Sequence, residues 1–490
     1  MQPFPAEAYT QDARVPAGLI VDPKTLIIGA GAEGVAKVVK SIGSTDITVV
    51  ESNPAVLDIW NEHLPYAAYA HYPLSDTQVV LDDGRLFADR AQSEYDIITM
   101  MNTRRSLHAA QFGFPNFLHT KEAFASYYDA LTPDGFLAIE EVSSKNGGDE
   151  AISRVVATMV ATLVQEGVTD PYQHILMYQW VGAEKDQPIP TDPELVYSQL
   201  LVKKNPWSAN DLAAFRDWAN WSQQTDQFMK PANMTFYRSV WLPDTGLNPN
   251  IEQLSILTQP FTDQISQLKV LTDSSPFMTS MSPIDTTMVY WFFSISAVLL
   301  GIFLLWYRSH SIGSEKKWLS YFSLIGIGYM AIEMFLLLWL QLYLGSIFVT
   351  LVVVIGGLFV SSAIASYYYQ KMNFSVKNLA LRLVATLLVL GTVFFVPWAI
   401  DTFLARLLFS VVTIVATGTL LAPFFPFGMQ VAEAQSTQDA PVWFGINAIA
   451  LAVSVPLSML LVSYTNFEVL IAIGLIAYVV ALVALSRTHL

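Results

Sequence analysis

The apolar and polar positions divide this chain near residue 287. Beyond that point long apolar runs are broken only by short polar stretches, whereas earlier residues alternate brief apolar strands, turns and amphipathic segments. Runs of about 20 residues, enough to cross ~30 Å of hydrocarbon, fall at 287–307, 318–344, 346–369, 379–400, 402–424, 442–463 and 467–486. They predict about seven helices. The connections at Gly345-Ser346, Ala399–Asp401 and Tyr464–Asn466 are short enough for tight hairpins, and 308–317, 370–378 and 425–441 read as longer polar loops. In the first part, seven strands are expected at 26–28, 47–50, 78–81, 95–99, 136–139, 174–180 and 196–202, with an amphipathic helix over 150–167. Residues 207–286 read as an α-rich appendage and linker. Its tryptophans, Trp207, Trp218, Trp221 and Trp241, suit either an interfacial anchor or buried packing.

Charge sharpens the division. After Thr286 there are eight Lys and Arg against six Asp and Glu, which leaves 18 basic and 35 acidic residues of the chain's 26 and 41 in the first part, a net of −17. So acidic a unit is a poor match for nucleic acid or an anionic membrane face and suits small cations. The mean hydropathy of +0.41 is too apolar for a wholly soluble protein. Cysteine is absent, which removes disulfides, thiolate metal sites and a cysteine nucleophile. No metal-ligand spacing, Walker loop or Ser/His/Asp grouping stands out. The first residues, MQPFPAEAYTQDARVPAGL, have neither a basic n-region nor an apolar h-region, so no cleavable signal is expected.

The chemistry-bearing motifs lie in the first part. TLIIGAGAEGVAKVVKSIG places Gly29, Gly31 and Gly34 between an apolar strand and a helix pattern, where the backbone must turn tightly and approach a ligand. The second strand ends in Glu51, an acid placed to accept hydrogen bonds from ribose hydroxyls. This much fits both dinucleotide-binding Rossmann domains and nucleoside-binding transferases. The third strand then ends in Asp82-Asp83-Gly84-Arg85, and an acid there suits an adenine amino group, which favours the transferases.

The series LIIGAGAEG, VVESNPAVLDIW, LDDGRLF, YDII, FLHTKEAFASYYDALTPDGFLAIEE and LTDSSPF resembles the spermidine/spermine synthase-like family, in particular members fused to transmembrane helices. YFSLIGIGYMAIEMFLLLWLQLYLG, PFFPFGMQ and WFGINAIALAVS extend the likeness into the apolar half. The resemblance implies a seven-stranded methyltransferase-type, Rossmann-like α/β domain binding S-adenosylmethionine or its decarboxylated form, without a metal. Carried over, Gly29, Gly31 and Gly34 line the cofactor loop, Glu51 holds the ribose, and Asp83 with Gly84 the adenine. The family's catalytic aspartate follows strand four, in a YDVIIxD pattern. Here that stretch runs Tyr95-Asp96-Ile97-Ile98-Thr99-Met100-Met101-Asn102, and neither Met101 nor Asn102 has a basic site near neutral pH. Glu140, in the Glu140-Glu141 pair after strand five, and His119 are the substitute candidates. His108 and the anion-attracting Arg104-Arg105 lie on the same expected side.

In the apolar half Glu333 sits mid-span, where an ionised carboxylate costs roughly 2.5 to 3.5 kcal/mol, and it is a functional candidate or a partner of Arg382 or Arg406. Gly326, Gly328, Gly356 and Gly357 read as close helix packing. Four segments are expected: an N-terminal stretch 1–24, a spermidine-synthase-like domain 25–206, the appendage 207–286, and an all-α polytopic membrane domain 287–490. The expected protein is an integral membrane group transferase, in the plasma (inner) membrane, with the bilayer and a small-molecule acceptor such as a polyamine or other amine as partners. A homo-oligomer is left open. The soluble part is expected on the cytoplasmic side, although counting Lys and Arg near the spans places it opposite. The alternative is a non-catalytic nucleotide-binding transporter or sensor.

Overall fold

The computed structural model describes residues 15–29 (without 17), 35–62, 77–101, 115–144, 149–184, 195–224, 233–247, 265–276 (without 267), isolated positions between 291 and 301, 316–369, 375–395, 400, 402–435 and 440–486. The chain divides into two compact units, Met1–Thr279 and Ser280–Leu490.

Unit 1 is built on one sheet. Its strands are β1 (Thr25–Ile28), β2 (Ile47–Glu51), β3 (Gln78–Leu81), β4 (Tyr95–Met101), β5 (Leu131–Ser144), β6 (Ile175–Glu184), β7 (Leu195–Lys203), β8 (Asn233–Leu242) and β9 (Gly246–Leu247). The spatial order is β3-β2-β1-β4-β5-β7-β6-β8-β9. The first five strands run parallel, and β7 inserts antiparallel between β5 and β6. That order over β1 to β7, with its reversal between β1 and β4, is a methyltransferase-type sheet and leaves a crevice outside the carboxyl ends of the strands.

Both faces are covered, which is why the central strands are nearly all apolar. On one face Leu26, Ile28, Ile98, Met100, Leu137 and Ile139 pack with helices α4 (Lys121–Ala130) and α5 (Asp149–Gln165). On the other, Ile27, Val49, Ile97, Phe136 and Ala138 meet α1 (Val35–Ser41) and α6 (Ala209–Gln224). The remaining helices, α2 (Pro54–Glu62) and α3 (Gly84–Ala88), follow β2 and β3.

Among the described residues two further strands, β8 and β9, extend the seven expected ones, and the segment after residue 206 contributes them as well as α6. After α6 the chain returns as β8, whose β-branched and aromatic sequence NMTFYRSVWL pairs antiparallel along β6. The tryptophans there pack inward. Trp207 and Trp218 are buried with Phe215 and Tyr178, and the Trp207 and Trp241 indoles donate to the carbonyls of His174 and Tyr172. The side chain of Trp221 lies outside the described residues.

Unit 2 is built of helices among its described residues. It comprises α7 (Lys316–Leu344), α8 (Ile347–Leu351) continuing through a π-helical turn (Val352–Gly356) into α9 (Gly357–Tyr369), α10 (Val376–Thr392), α11 (Phe403–Leu421), α12 (Phe424–Gln435), α13 (Ala440–Tyr464) and α14 (Glu468–Ser486). α7 is the hub, packed along α13 and α14. Five helical runs among the described residues are long and apolar enough to cross a membrane: Trp318–Leu344, Ile347–Tyr369, Phe403–Ala434, Pro441–Val462 and Glu468–Ser486. Their outward faces expose large apolar side chains such as Phe348, Phe359, Leu404 and Phe444.

One of the seven expected spans is shorter than expected. The run expected at 379–400 is α10, which has 17 residues and gives way to a turn at 393–395. The run expected at 287–307 lies largely outside the described residues. The loop expected at 425–441 is mostly α12: Tyr321 donates its hydroxyl to the Phe424 carbonyl at 2.6 Å, and a Cβ on Gly428 would meet the Tyr321 ring at 2.2 Å. Close packing also explains Gly326 against Asn447 and Ala450, Gly328 against Tyr478 and Gly474, and Gly357 against Ile414. Gly356 faces open space and needs another account.

Candidate functional site

Three neighbouring strand ends bring the expected nucleoside-binding residues together. At the end of β1, Gly29 has φ +92°, a conformation that an L side chain rarely adopts, and donates its N–H to the Val50 carbonyl at 2.8 Å. Gly31 and Gly34 lie outside the described residues. At the end of β2, Glu51 is half-buried and its Oε1 accepts the Asn53 N–H at 2.8 Å. The Asp82 N–H donates to the Glu51 carbonyl at 3.1 Å, which ties the ends of β2 and β3 together.

Asp83 caps α3. Its Oδ1 accepts both the Arg85 N–H at 3.0 Å and the Leu86 N–H at 3.1 Å, the capping geometry expected of an aspartate. Both bonds end on one oxygen, and Oδ2 accepts none among the described residues. Burial pushes the Asp83 carboxyl above the usual carboxylate range, with the Leu86 N–H bond pulling against it. Gly84 has a packing reason for being glycine, since a Cβ there would lie 2.3 Å from Ile28 Cγ2.

The ends of β4 and β5 hold a second set. Met101 closes β4 directly beside Glu140 of β5, and Gln199 of β7 donates from Nε2 to Met101 Sδ at 3.5 Å. Glu140 shares the Met101 face of the sheet and is 2% exposed. Glu141, one residue on, faces the other way and meets His119, with Nε2 3.3 Å from Oε1. His119 is fully buried in a 3-10 turn (Phe117–His119) and faces the Phe124 ring edge-on. The two substitute candidates therefore lie on opposite faces of the sheet, and only Glu140 adjoins the position of the family's aspartate. Asn102, Arg104, Arg105 and His108 lie outside the described residues.

Reading motifs along the chain missed a buried polar group behind α3. Arg85 forms a two-pronged pair with Asp273, Nη1 to Oδ1 at 2.6 Å and Nη2 to Oδ2 at 2.8 Å, and Thr120 donates its hydroxyl to the same Oδ1 at 2.8 Å. The signal was partial: an arginine in a short helix beside apolar Leu86, and an aspartate within the polar part of LTDSSPF.

In unit 2, Glu333 is a half-buried residue of α7, one turn after Tyr329. Arg382 donates to the Tyr369 hydroxyl at 2.9 Å and stacks over its ring, and Arg406 donates to the Ile400 carbonyl at 2.8 Å. Among the described residues no three His, Asp or Glu side chains converge as a metal site.

Residues 12–163 match the family described as the spermine/spermidine synthase domain. A polyamine aminopropyltransferase of Agathobacter rectalis is 33% identical over 130 residues, which is 26% of this chain and 42% of that protein. Another, of Streptococcus uberis, is 32% identical over 134 residues, 27% of this chain and 44% of the relative. The chain thus spans less than half the length of these curated relatives. Among solved structures, spermidine synthase from Thermotoga maritima aligns with 42% of this chain and 62% of its own at 19% identity, with a TM-score of 0.29. Residues 12–163, laid out on β1 to β5 and their helices, are thus similar to the spermine/spermidine synthase domain family.

Proposed function

We propose that unit 1 is a group transferase of the aminopropyltransferase kind that binds decarboxylated S-adenosylmethionine or S-adenosylmethionine at the carboxyl edge of β1, β2 and β3, and that unit 2 holds it in a membrane. The observation that carries this reading is the convergence of Gly29, Glu51 and Asp83 on three adjacent strand ends. The residues suit the ligand. Gly29 has no Cβ to obstruct a close approach, Glu51 suits ribose hydroxyls, and Asp83 Oδ2 is placed to accept an amino group. When bound, the cofactor would supply a sulfonium-linked group for transfer.

The chain's own part is to orient an acceptor and remove its proton. Met101 cannot take a proton, so Glu140, its neighbour across β4 and β5, is assigned that role at its carboxylate. The acidity of unit 1 favours a cationic acceptor such as a polyamine or another amine. The five long apolar helices and their apolar outer faces support a place in a membrane, which is assigned to the plasma membrane. Unit 1 is assigned to the cytoplasmic side, where a nucleotide-derived cofactor would be at hand; protease accessibility in intact cells tests that side.

Calorimetry of the full chain with decarboxylated S-adenosylmethionine, S-adenosylmethionine and 5'-methylthioadenosine, followed by product analysis with putrescine and with lipid extracts, tests the function. Binding with transfer supports it. Binding without any product would favour a non-catalytic sensor or transporter, and no binding would remove the cofactor assignment.

A further inference from the structure

The segment Leu271–Pro276 is clasped onto the helices behind the candidate cofactor site. Its Thr272 and Ser275 form a β-bridge, the Leu271 N–H donates to Thr158 Oγ1 at 3.0 Å, the Lys121 N–H donates to the Leu271 carbonyl at 2.8 Å, and the Asn116 N–H donates to the Pro276 carbonyl at 2.8 Å. At its centre is Asp273, whose N–H donates to Glu122 Oε2 at 3.0 Å and whose carboxylate takes both prongs of Arg85. The pair is enclosed, with side-chain exposures of 4% for Arg85 and 9% for Asp273.

Arg85 thus has two tasks at once. Its backbone N–H holds Asp83 Oδ1 while its guanidinium is turned to Asp273, 188 positions along the chain. Asp83 and Arg85 are close enough for their charges to act on each other. A guanidinium has five donors and no acceptor, and a buried one deprived of its carboxylate turns to the nearest alternative. Here the neighbouring carboxylates whose charges act with that of Arg85 are Asp83 and Glu122. A buried ion pair contributes little stability that well-packed apolar residues would not match, so its two-pronged geometry is better accounted for by orientation.

We propose that Asp273 is a positioning residue for the purine end of the site: by engaging both prongs of Arg85 it keeps that charge away from Asp83 and leaves Asp83 Oδ2 to accept the exocyclic amino group of adenine. The inference rests on the cofactor reading above and adds a residue from far along the chain to it. It also specifies what a purely structural clasp would not, namely a selectivity between purines.

The test compares 5'-methylthioadenosine with 5'-methylthioinosine, which carries a carbonyl oxygen where adenine has its amino group, by calorimetry on the full chain in detergent micelles. The unsubstituted chain is expected to prefer the adenine compound by about tenfold or more, the range of a hydrogen bond to a charged group. Asp273→Ala is expected to reduce that preference to near unity, because the released guanidinium occupies Asp83. The double variant Arg85→Met with Asp273→Leu, which has no guanidinium to misplace, is expected to regain most of it. If Asp273→Ala fails to fold, the isosteric Asp273→Asn reads the same loss. Retention of the preference in the single variant overturns the proposal, as does a folded double variant that binds both compounds equally. Binding of neither compound by the unsubstituted chain overturns the cofactor reading itself, and the inference with it.

Discussion

Gly84→Ala probes the junction on which the site is built. The new Cβ would lie 2.3 Å from Ile28 Cγ2 and 3.2 Å from both Ile28 Cβ and Cγ1, whereas ordinary contact begins at 3.4 Å. The two elements must therefore separate by about 1 Å. Ile28 is 2% exposed at the end of a central strand and cannot swing into solvent, so the short α3, and with it the Asp83 cap, has to move. Overpacking of this kind costs about 1–3 kcal/mol. Ile28→Ala alone should cost about 2–5 kcal/mol through the cavity it leaves. The double variant places the new methyl in that cavity, so its destabilisation should fall short of the sum of the single effects by about 1 kcal/mol or more. Amide hydrogen exchange on peptides covering β1 and α3, in the full chain, reads these differences locally without requiring both units to unfold together. Unchanged exchange in Gly84→Ala, or strict additivity in the double variant, would refute the packing argument.

Four further outcomes are expected. Glu140→Gln should abolish transfer while leaving calorimetric affinity for the adenosyl ligand within about twofold, since the residue is assigned to the acceptor's proton rather than to the cofactor. Acidification should weaken adenosyl-ligand binding at a higher pH than an ordinary carboxylate would, because burial raises the Asp83 carboxyl and only its ionised form accepts through both oxygens; Asp83→Asn should flatten that profile. Glu122 is raised by burial and then by Asp273, so the folded state holds its proton more tightly than the unfolded chain. Its contribution to stability is present below the ordinary carboxylate pKa and is lost as pH rises through the raised value, and Glu122→Gln should reduce that slope in thermal melts. In unit 2, Gly328→Val should destabilise the helices by about 1–3 kcal/mol, since even a Cβ there would lie 2.9 Å from the Tyr478 ring and 3.0 Å from the Gly474 carbonyl; thermostability in detergent measures it.

The parallel core was legible because strands covered on both faces must be apolar throughout, and TLII, ITVV and YDIIT could hardly be anything else. The line of Gly29, Glu51 and Asp83 was legible because each falls where a strand ends. Less legible was β8, since residues 207–286 carry one strong helix and many aromatics, and pairing with β6 is a long-range event that no local pattern announces. The span expected at 379–400 is shorter as α10 because it ends in a turn at 393–395, which averaged hydropathy does not mark. His119 and Glu141 are far apart in sequence, so their meeting depends on how the 3-10 turn before α4 folds over β5. The Arg85–Asp273 pair was hidden for the same reason, its partners lying 188 positions apart.

The central claim, that the carboxyl edge of β1, β2 and β3 holds an adenosyl ligand, is tested most directly by hydrogen exchange on the full chain with and without saturating 5'-methylthioadenosine. Slowed exchange should appear in peptides covering 26–29, 49–53 and 81–86, and Glu51→Ala should remove it. Protection confined to the helices of unit 2, or none at those three strand ends while the ligand is demonstrably bound, would contradict the account.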